Sequence, residues 1–405
     1  MAGRLEPRER AFAHELAYGA TRLRGRLDHL LAAVVDRGID SLDATVLEIL
    51  RLGAYQLLYL SGVPDYAAVS SMVELARRRV GPKPTGLVNA VLRRVKDRGD
   101  GPSCFPSPDA EAATFLSTWG SHPRWLVDRW LDRWGVSDVH ALVDANNRRP
   151  RVALYALDVG PQEAVRILAE SGIEASPVGH GSACVRLAAA VPPTAALAAL
   201  PEAIIQDPGA NLVVLYGDVP QGTKVADLCA APGGKVVAVA DRAVYTLASD
   251  RSESRIRMIR ENAHRTGRRI ALVVADARRP PLDSIDVVLV DVPCTGTGTL
   301  ARHPDARWRL RPESIVEMAA LQSEILESAA GVVAPGGLLV YSTCSLEPEE
   351  NEERVHAFLR SRPDFRVEAT GAAPADLVRA DGMLSVTPLT DHFDGAFAAR
   401  IRRAA

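Results

Sequence analysis

The sequence lacks any run of apolar residues long enough to cross a membrane, and its charged start, MAGRLEPRERAFAHELA, has no apolar core of the signal-peptide kind. We therefore expect a cytoplasmic protein without a membrane anchor. Its five cysteines are odd in number and far apart, with no C-x-x-C pair, which excludes a disulfide framework and predicts no metal site. Net charge is nearly absent, since 48 basic residues stand against 50 acidic ones. Any contact with nucleic acid must come from a local patch.

Lysine is also scarce, because only four of the basic residues are lysines. The cationic groups are therefore almost all guanidinium groups, which bind phosphates and base edges through two hydrogen bonds at once. This composition fits contact with RNA, but it fits a biased genome equally well.

The length of 405 residues, with 47% hydrophobic and 24% charged residues, is enough for two or three globular domains. Up to residue 147 the apolar residues recur at helical spacing, with helix start signals at Ser41 and Asp65. This pattern predicts an all-helical domain over residues 1–147. Residues 148–205 then read as a strand, a helix and two short strands, which predicts a small α+β module.

The remaining residues, 206–405, alternate short β-branched runs with helical stretches, and each run ends near an aspartate or a cysteine. The runs are TKVADLC, VYTLASD, IALVVAD, IDVVLVDV and GGLLVYSTC. Such alternation is typical of a parallel sheet with crossover helices. The terminal runs LSVTPL and GAFAARIRR predict an antiparallel hairpin that closes the sheet. Ligands of such sheets bind beyond the carboxyl ends of the strands, where the polar residues fall.

The first of these strands continues into a turn with two glycines, DLCAAPGGK. Gly233 and Gly234 allow backbone amides to approach a ligand closely, but their spacing matches neither a phosphate-binding loop nor a dinucleotide fingerprint. Asp250 and Asp276 end the next two strands, where one carboxylate can accept ribose hydroxyls and the other an adenine amino group. The pattern favours a nucleoside ligand without a pyrophosphate. The alternative is that these residues are helix caps and turn residues.

Two further strands end in thiols, in the segments Asp291-Val-Pro-Cys294 and Tyr341-Ser-Thr-Cys344. A single free cysteine most often packs as a small apolar group, but two at adjacent strand ends favour a catalytic role. Carbon 5 of cytosine is a poor nucleophile until a thiolate adds to carbon 6, so cysteine is the residue type that this chemistry requires. The residues alone leave open which of the two thiols attacks.

Taken together, these segments resemble those of a known family. DLCAAPGGK, DVPCTGTG, RHPDARW, LQSEILESAA, YSTCSLEPEENE and DGAFAARI are similar to motifs of RNA 5-methylcytosine methyltransferases of the RsmB/NOP family. ELAYGATRLRGRLD, LRLGAYQLLYL and GLVNAVLRRV resemble the NusB-like domain of its RsmB (Sun) branch, which acts on 16S ribosomal RNA.

The resemblance implies a multi-domain fold: a NusB-like helical RNA-binding domain over 1–147, the α+β module over 148–205, and a Rossmann-like α/β methyltransferase domain over 206–405. The chain begins at what resembles the second NusB-like helix, so we expect the first one to be missing. The resemblance further implies S-adenosyl-L-methionine as the cofactor and 5-methylcytosine in 16S ribosomal RNA as the product, with cytosine 967 as the family target.

The resemblance also assigns roles to single residues. It implies that Cys344 is the nucleophile, that Cys294 helps to release the product, and that Asp291 lies between the cofactor and the base. Asp250 and Asp276 would bind the ribose and the adenine. The loop that would cradle the methionine part of the cofactor comprises Cys229, Ala230, Ala231, Pro232, Gly233, Gly234 and Lys235.

The segment after Cys294 mixes arginines with aromatic rings, a combination suited to base stacking and phosphate contact. We expect RNA contacts from Arg302, His303, Arg307, Trp308 and Arg309. The expected partner is 16S ribosomal RNA or a small-subunit assembly intermediate, bound by a monomer. Two alternatives stay open: the same chemistry on transfer RNA, and an RNA-binding or antitermination-type factor without catalysis. The pair of Cys294 and Cys344 argues against the second.

Overall fold

The computed structural model describes residues 6–189 and 191–405, and the chain divides into two compact units. One unit runs to Arg148 and includes Leu300–Arg309, while the other comprises Arg149–Thr299 and Leu310–Ala405. Residues 300–309 thus pack with helical residues that are distant in sequence. Within the described ranges, no helix combines the length and apolar character needed to cross a membrane.

The helices and strands have the following bounds. The helices are α1 (Pro7–Arg22), α2 (Arg24–Ala32), α3 (Ala44–Tyr59), α4 (Asp65–Arg79), α5 (Thr85–Arg98), α6 (Ala112–Thr118), α7 (Arg124–Arg133), α8 (Val136–Asn147), α9 (Pro161–Glu170), α10 (Pro193–Ala199), α11 (Pro208–Gly217), α12 (Gly234–Val239), α13 (Glu253–Arg265), α14 (Ala306–Arg309), α15 (Pro312–Val332) and α16 (Glu352–Ser361). The strands are β1 (Ala153–Ala156), β2 (Ala175–Pro177), β3 (Cys184–Leu187), β4 (Ala203–Ile205), β5 (Thr223–Asp227), β6 (Ala243–Asp250), β7 (Ala271–Val274), β8 (Ile285–Asp291), β9 (Val333–Thr343), β10 (Phe365–Val367), β11 (Leu384–Val386) and β12 (Ala396–Arg403).

The first unit contains α1–α8 and α14, which confirms the all-helical fold expected for this part of the chain. Leu27, Leu50 and Leu92 are fully buried in a core that α2, α3 and α5 share. Helix α4 begins at Asp65 as predicted, but α3 begins after Asp43 rather than Ser41. The Asp43 carboxylate accepts hydrogen bonds from the backbone N–H groups of the first turn of α3, and this is the favoured way to satisfy those donors.

The α+β module is an antiparallel sheet of four strands in the order β2-β3-β1-β4, with α9 and α10 against it. Leu154 on β1, Val185 on β3 and Leu168 on α9 are fully buried in its core. The module therefore has the fold class that its alternating pattern predicted.

The large sheet has the order β10-β12-β9-β8-β5-β6-β7, with β11 paired to β12. Neighbouring strands from β9 to β7 are parallel, while β12 runs antiparallel to β9 and β11, which confirms both the parallel sheet and the closing hairpin. The order of connection reverses between β5 and β8. In open sheets of this kind, the ligand binds beyond the carboxyl ends of the strands at such a reversal.

Candidate active site

The turn after β5 requires glycine at Gly233, whose φ of +106° is rarely adopted by residues with a side chain. A Cβ atom there would also lie 3.3 Å from Cγ2 of Ile259 on α13. The close backbone approach inferred from the sequence is therefore accompanied by close packing of the turn against a helix.

The preceding residues of this loop are mostly in the interior. Ala230 and Ala231 are buried, Cys229 is half-buried and Pro232 is exposed. Burial raises the pKa of the Cys229 thiol, which disfavours the reactive thiolate form. Cys229 is thus suited to lining the site rather than to nucleophilic attack.

The strand-end residues singled out in the sequence line one pocket of about 320 Å³. Asp250 ends β6, Asp276 follows β7 and Asp291 ends β8. Cys294 and Cys344 line the same pocket. The structure thus brings the strand-end carboxylates and both thiols into one cleft, whose volume is typical of a small-molecule site. Of the loop expected at the methionine part of the cofactor, Cys229 and Ala231 line this pocket.

Two of the pocket carboxylates are paired with arginines. Oδ2 of Asp250 lies 3.2 Å from Nη1 of Arg255, and its Oδ1 accepts a hydrogen bond from the backbone N–H of Ser252. Arg278 donates hydrogen bonds to both oxygens of Asp276 and lowers the pKa of that carboxyl to about 2. Asp276 therefore keeps the ionised form, which can only accept hydrogen bonds.

Asp291, at the end of β8, contacts helix α12 and strand β9 through its two oxygens. Oδ2 lies 2.7 Å from Nζ of Lys235, and Oδ1 accepts a hydrogen bond of 2.8 Å from the Ser342 hydroxyl on β9. Burial lowers the pKa of Lys235, but the Asp291 carboxylate outweighs this effect, so the pKa is raised. Lys235 therefore keeps its ammonium form beside Asp291. Sequence reasoning named both residues but not their contact.

Asp227, at the end of β5, is a buried carboxyl that sequence reasoning did not assign to the site. Its Oδ1 accepts a hydrogen bond from the backbone N–H of Cys229, while its Oδ2 is buried without a partner. Burial, and then the nearby charge of Asp291, raises the pKa of Asp227 to about 7. Its strand-end position, shared with Asp250, was the signal that could have identified it.

The two thiols are in contact. Sγ of Cys294 lies 3.2 Å from Sγ of Cys344, and both side chains are half-buried. The hydrogen bond between the thiols, and then burial, raises the pKa of Cys294. This arrangement disfavours ionisation of Cys294. Among the described residues, no group of three or more His, Cys, Asp or Glu side chains is arranged to hold a metal ion.

One residue of the segment expected to contact RNA, Arg307, is buried and therefore contradicts this expectation. Arg307 is fully buried in the first unit. Its guanidinium group donates hydrogen bonds to the oxygens of Arg22, Ser121, Asn146, Asn147 and Leu300. A phosphate contact requires exposed donors, so the prediction for Arg307 is wrong: this arginine anchors its own segment.

The neighbours of Arg307 differ in exposure. The Trp308 indole N–H donates to the Thr21 carbonyl oxygen at 2.8 Å, which fixes the half-buried ring. The Arg309 side chain is 74% exposed beside Asp305. His303 is exposed and Arg302 is half-buried. The aromatic and basic groups of this segment therefore do not form one continuous exposed patch.

Three family models match the chain. The model described as 16S rRNA methyltransferase RsmB/F matches residues 217–402, the NusB family model matches residues 1–97, and a ferredoxin-like domain of RsmF/B-like methyltransferases matches residues 122–194. The three matches follow one another along the chain in the order of the helical, α+β and α/β folds.

Relatives match over most of the chain. The ribosomal RNA small subunit methyltransferase B of Klebsiella pneumoniae is 33% identical, over 91% of this chain and 85% of its own. The probable enzyme of the same name from a Synechocystis species is also 33% identical, over 99% and 92%. The crystal structure of the protein PH0851 matches with a TM-score of 0.82 at 25% identity, covering 99% of this chain and 91% of that one. The chain therefore belongs to the RsmB/F family of 16S rRNA methyltransferases, which depend on S-adenosylmethionine.

Proposed function

We propose that this protein is an RNA cytosine-5 methyltransferase that forms 5-methylcytosine in 16S ribosomal RNA, at the family target cytosine 967, through a cysteine-linked covalent intermediate. The names of the relatives favour ribosomal over transfer RNA as the substrate. Because ribosomal RNA is the substrate, we infer that the enzyme acts in the cytoplasm.

The contact between the two thiols carries this proposal. Cys294 and Cys344 follow adjacent parallel strands, β8 and β9, and their sulfurs are 3.2 Å apart at the pocket that the strand-end carboxylates also line. Methyl transfer to an amino group needs no thiol. Methyl transfer to carbon 5 of cytosine requires a nucleophile that adds to carbon 6 and later leaves.

The pocket residues fit S-adenosylmethionine. Asp250 and Asp276 suit the ribose hydroxyls and the adenine amino group, because carboxyl oxygens accept hydrogen bonds. Asp227 precedes the pocket residue Leu228 in the sequence and has a buried carboxyl oxygen without a hydrogen-bond partner. Such an oxygen suits the ammonium group of the methionine part of the cofactor. The backbone around Gly233 allows this part to approach closely. When bound there, the cofactor supplies the methyl group.

The chain's own residues perform the remaining chemistry. The target cytosine leaves its stack, as bases must when an enzyme acts on them, and the thiolate of Cys344 adds to its carbon 6. As the thiolate adds, N3 of the base takes up a proton from water, and Asp291, held by Lys235 and Ser342, stabilises the base by accepting a hydrogen bond from that N3–H group. Once carbon 5 carries the methyl group it loses its proton with the help of Cys294. The bond between carbon 6 and Cys344 then breaks and regenerates the thiolate.

We also propose that RNA contacts this protein through Arg302, His303, Trp308 and Arg309, without Arg307. Arg309 and Trp308 line a cavity of about 390 Å³ in the first unit, together with Arg24 and Arg51. Arg51 is buried, but the exposed guanidinium groups of Arg24 and Arg309 beside an indole ring suit a nucleotide strand, since the ring can stack and these cations can pair with phosphates.

Replacing each thiol in turn tests the mechanism. Purified wild-type protein, Cys344→Ala, Cys294→Ala and the control Cys104→Ala, whose thiol belongs to the first unit, are incubated with 16S rRNA and radiolabelled S-adenosylmethionine. We expect Cys344→Ala to lose methylation and form no adduct, because no thiolate adds to the base. Cys294→Ala should accumulate a covalent protein–RNA complex that survives denaturing electrophoresis, because product release is blocked. Cys104→Ala should behave like the wild type.

Two outcomes would contradict the proposal. An adduct with Cys344→Ala but none with Cys294→Ala would reverse the roles of the thiols. A labelled nucleoside other than 5-methylcytosine, identified by mass spectrometry, would exclude carbon-5 chemistry. Bisulfite sequencing of ribosomal and transfer RNA from a deletion strain then identifies the nucleotide that loses its methyl group.

A further inference from the structure

One fully buried carboxylate joins the two loops that carry the thiols. Glu350 lies in the segment between β9 and α16, and none of its surface is exposed. Its Oε1 accepts hydrogen bonds of 2.9 Å from the backbone N–H of Thr295 and from the side-chain amide of Gln322. Its Oε2 is in contact with the hydroxyls of Thr295 and Ser345. Thr295 directly follows Cys294, and Ser345 directly follows Cys344.

Gln322 extends this arrangement to the other side of Cys294. Its side-chain amide, on α15, also donates a hydrogen bond of 2.9 Å to the carbonyl oxygen of Pro293. The residues before and after Cys294 are therefore both tied to the Glu350–Gln322 pair. The backbone on the two sides of this thiol has little freedom to move.

Direct contacts between the two loops complete the network. The backbone N–H of Gly298 donates to the carbonyl oxygen of Cys344 at 3.0 Å, and that of Leu346 donates to the Thr297 hydroxyl at 2.9 Å. Asn351, the neighbour of Glu350, donates from its side-chain amide to the carbonyl oxygen of Ser345. Glu350 is the charged member of a network in which each thiol loop is held on several sides.

A buried carboxylate has a high desolvation cost, and a neutral group in the same volume avoids it. What distinguishes the carboxylate is that it can accept four hydrogen bonds at once. The negative charge also acts on Cys294, since after the Cys344 hydrogen bond, burial and the charge of Cys344 it adds to the raised pKa of that thiol. The same group thus orders the loops and disfavours a second thiolate.

We propose that Glu350 is a positioning residue for methyl transfer: by binding the residues that follow Cys294 and Cys344, it sets the separation of the two sulfurs. This inference rests on the two-thiol chemistry proposed above. Glu350 touches neither substrate nor cofactor in this role. It acts through Thr295 and Ser345.

Removal of the carboxylate should slow catalysis more than it weakens cofactor binding. We expect Glu350→Ala to lower the single-turnover methylation rate about 100-fold, the loss that a misplacement of about 1 Å can cause. Its affinity for S-adenosylhomocysteine should stay within about twofold of the wild type, a difference of less than 0.5 kcal/mol. Glu350→Gln keeps an oxygen for the N–H donors and can donate its amide to the two hydroxyls, so it should recover most of the rate. The control Glu353→Ala, on the exposed side of α16, should match the wild type.

A second readout needs no methylation at all. Diamide oxidises a pair of neighbouring thiols, forming the S–S bond while it takes up two electrons and two protons. In the wild type, the 3.2 Å contact should make the Cys294–Cys344 disulfide form quickly, whereas in Glu350→Ala it should form at least about tenfold more slowly, as expected for lost proximity. If the wild type did not methylate RNA, the proposed function would be wrong, but the disulfide-formation rates of the wild type and Glu350→Ala could still be compared.

The inference is wrong if Glu350→Ala methylates and forms the disulfide at wild-type rates, or if it loses cofactor affinity as steeply as rate, which a merely structural role predicts. If Glu350→Ala does not fold, Ser345→Ala tests the same contact with the carboxylate still present. We then expect slower disulfide formation and slower methylation. Wild-type values for both would overturn the proposal.

Discussion

Two regions of this protein bury a charged side chain, and they satisfy it with opposite partners. At the thiol loops, the carboxylate of Glu350 is surrounded by N–H and O–H donors. In the segment Leu300–Arg309, the guanidinium of Arg307 is surrounded by carbonyl and amide oxygens. In both regions the partners are neutral groups from several parts of the chain. A buried charge can thus serve to hold loops together rather than to bind a ligand.

The difference lies in what each charge holds. Glu350 joins residues adjacent to both thiols, whereas Arg307 joins its own segment to helices of the first unit. Arg307 also lies only two residues before the exposed Arg309 in the sequence. Arginines that are close in sequence can therefore have unrelated functions, and substituting them one at a time distinguishes these functions.

The largest effect should come from Arg307→Met, which removes the donors from buried carbonyl oxygens while keeping much of the volume. We expect the free energy of unfolding of the first unit to fall by about 3–5 kcal/mol, as when one partner of a buried polar contact is removed. All five tryptophans belong to this unit, so denaturant unfolding followed by tryptophan fluorescence reports on it directly.

Arg309→Met is the matched control, because its side chain is 74% exposed. It should leave the transition midpoint unchanged, since exposed ion pairs add little to stability. Equal midpoints for the two variants would mean that the buried hydrogen bonds of Arg307 do not hold the segment.

A third buried ionisable group, the carboxyl of Asp227, sharpens the comparison. One of its oxygens has no hydrogen-bond partner, whereas both oxygens of Glu350 have partners. The unfolded chain loses the Asp227 proton near pH 3.8, and the folded protein retains it until about 7. Between these values the folded state binds more protons, so the unfolding free energy falls as pH rises and becomes constant above pH 7.

Asp227→Asn removes this contribution. From pH 5 to pH 8 the wild type should lose about 2–4 kcal/mol of unfolding free energy relative to the variant, since each pKa unit corresponds to about 1.4 kcal/mol. Urea unfolding without cofactor, followed by circular dichroism, measures the difference. The exposed control Asp283→Asn should keep the wild-type pH dependence. A constant difference between wild type and Asp227→Asn would show that Asp227 ionises normally in the folded protein.

The smallest effect concerns the exposed arginines. Arg309 is one of the proposed RNA contacts, and Arg311 lies two residues further along the chain; their side chains are 74% and 70% exposed. If both contact phosphates, Arg309→Gln with Arg311→Gln should lower the slope of log affinity against log salt by roughly 0.7 per contact on single-stranded RNA. Filter binding at several salt concentrations measures the slope. The control is Arg257→Gln, which replaces an exposed arginine on α13. If the double variant has the same slope as this control, neither Arg309 nor Arg311 contacts RNA phosphates.

Sequence patterns predicted the pocket better than they predicted the segment that follows it. Asp250, Asp291, Cys294 and Cys344 were identified because parallel strands bring their carboxyl ends to one edge, so position in the pattern implied position in space. Arg307 was misjudged because a run of arginines has the same local pattern whether its members are exposed or buried. Its partners Ser121 and Asn146 are more than 150 residues away in sequence.

Glu350 was missed for the same reason. Its partners Thr295 and Gln322 lie 55 and 28 residues away, and no local periodicity indicates that an acidic side chain in EPEENE points inward. The contact of Asp291 with Lys235 likewise joins residues 56 positions apart. The expected roles of single residues in cofactor and RNA binding stay predictions, as does the monomeric state.

The sequence by itself determined the order and class of the folds, the glycine turn, the strand-end carboxylates and the pair of thiols, because these follow from local periodicity, turn chemistry and residue type. Only the tertiary structure decided the contact between the sulfurs, the burial of Glu350 and Arg307, and the raised pKa of Asp227. Those properties depend on which polar groups meet a side chain after it is removed from water. That choice is made by contacts between residues far apart in the chain, on which local sequence carries no information.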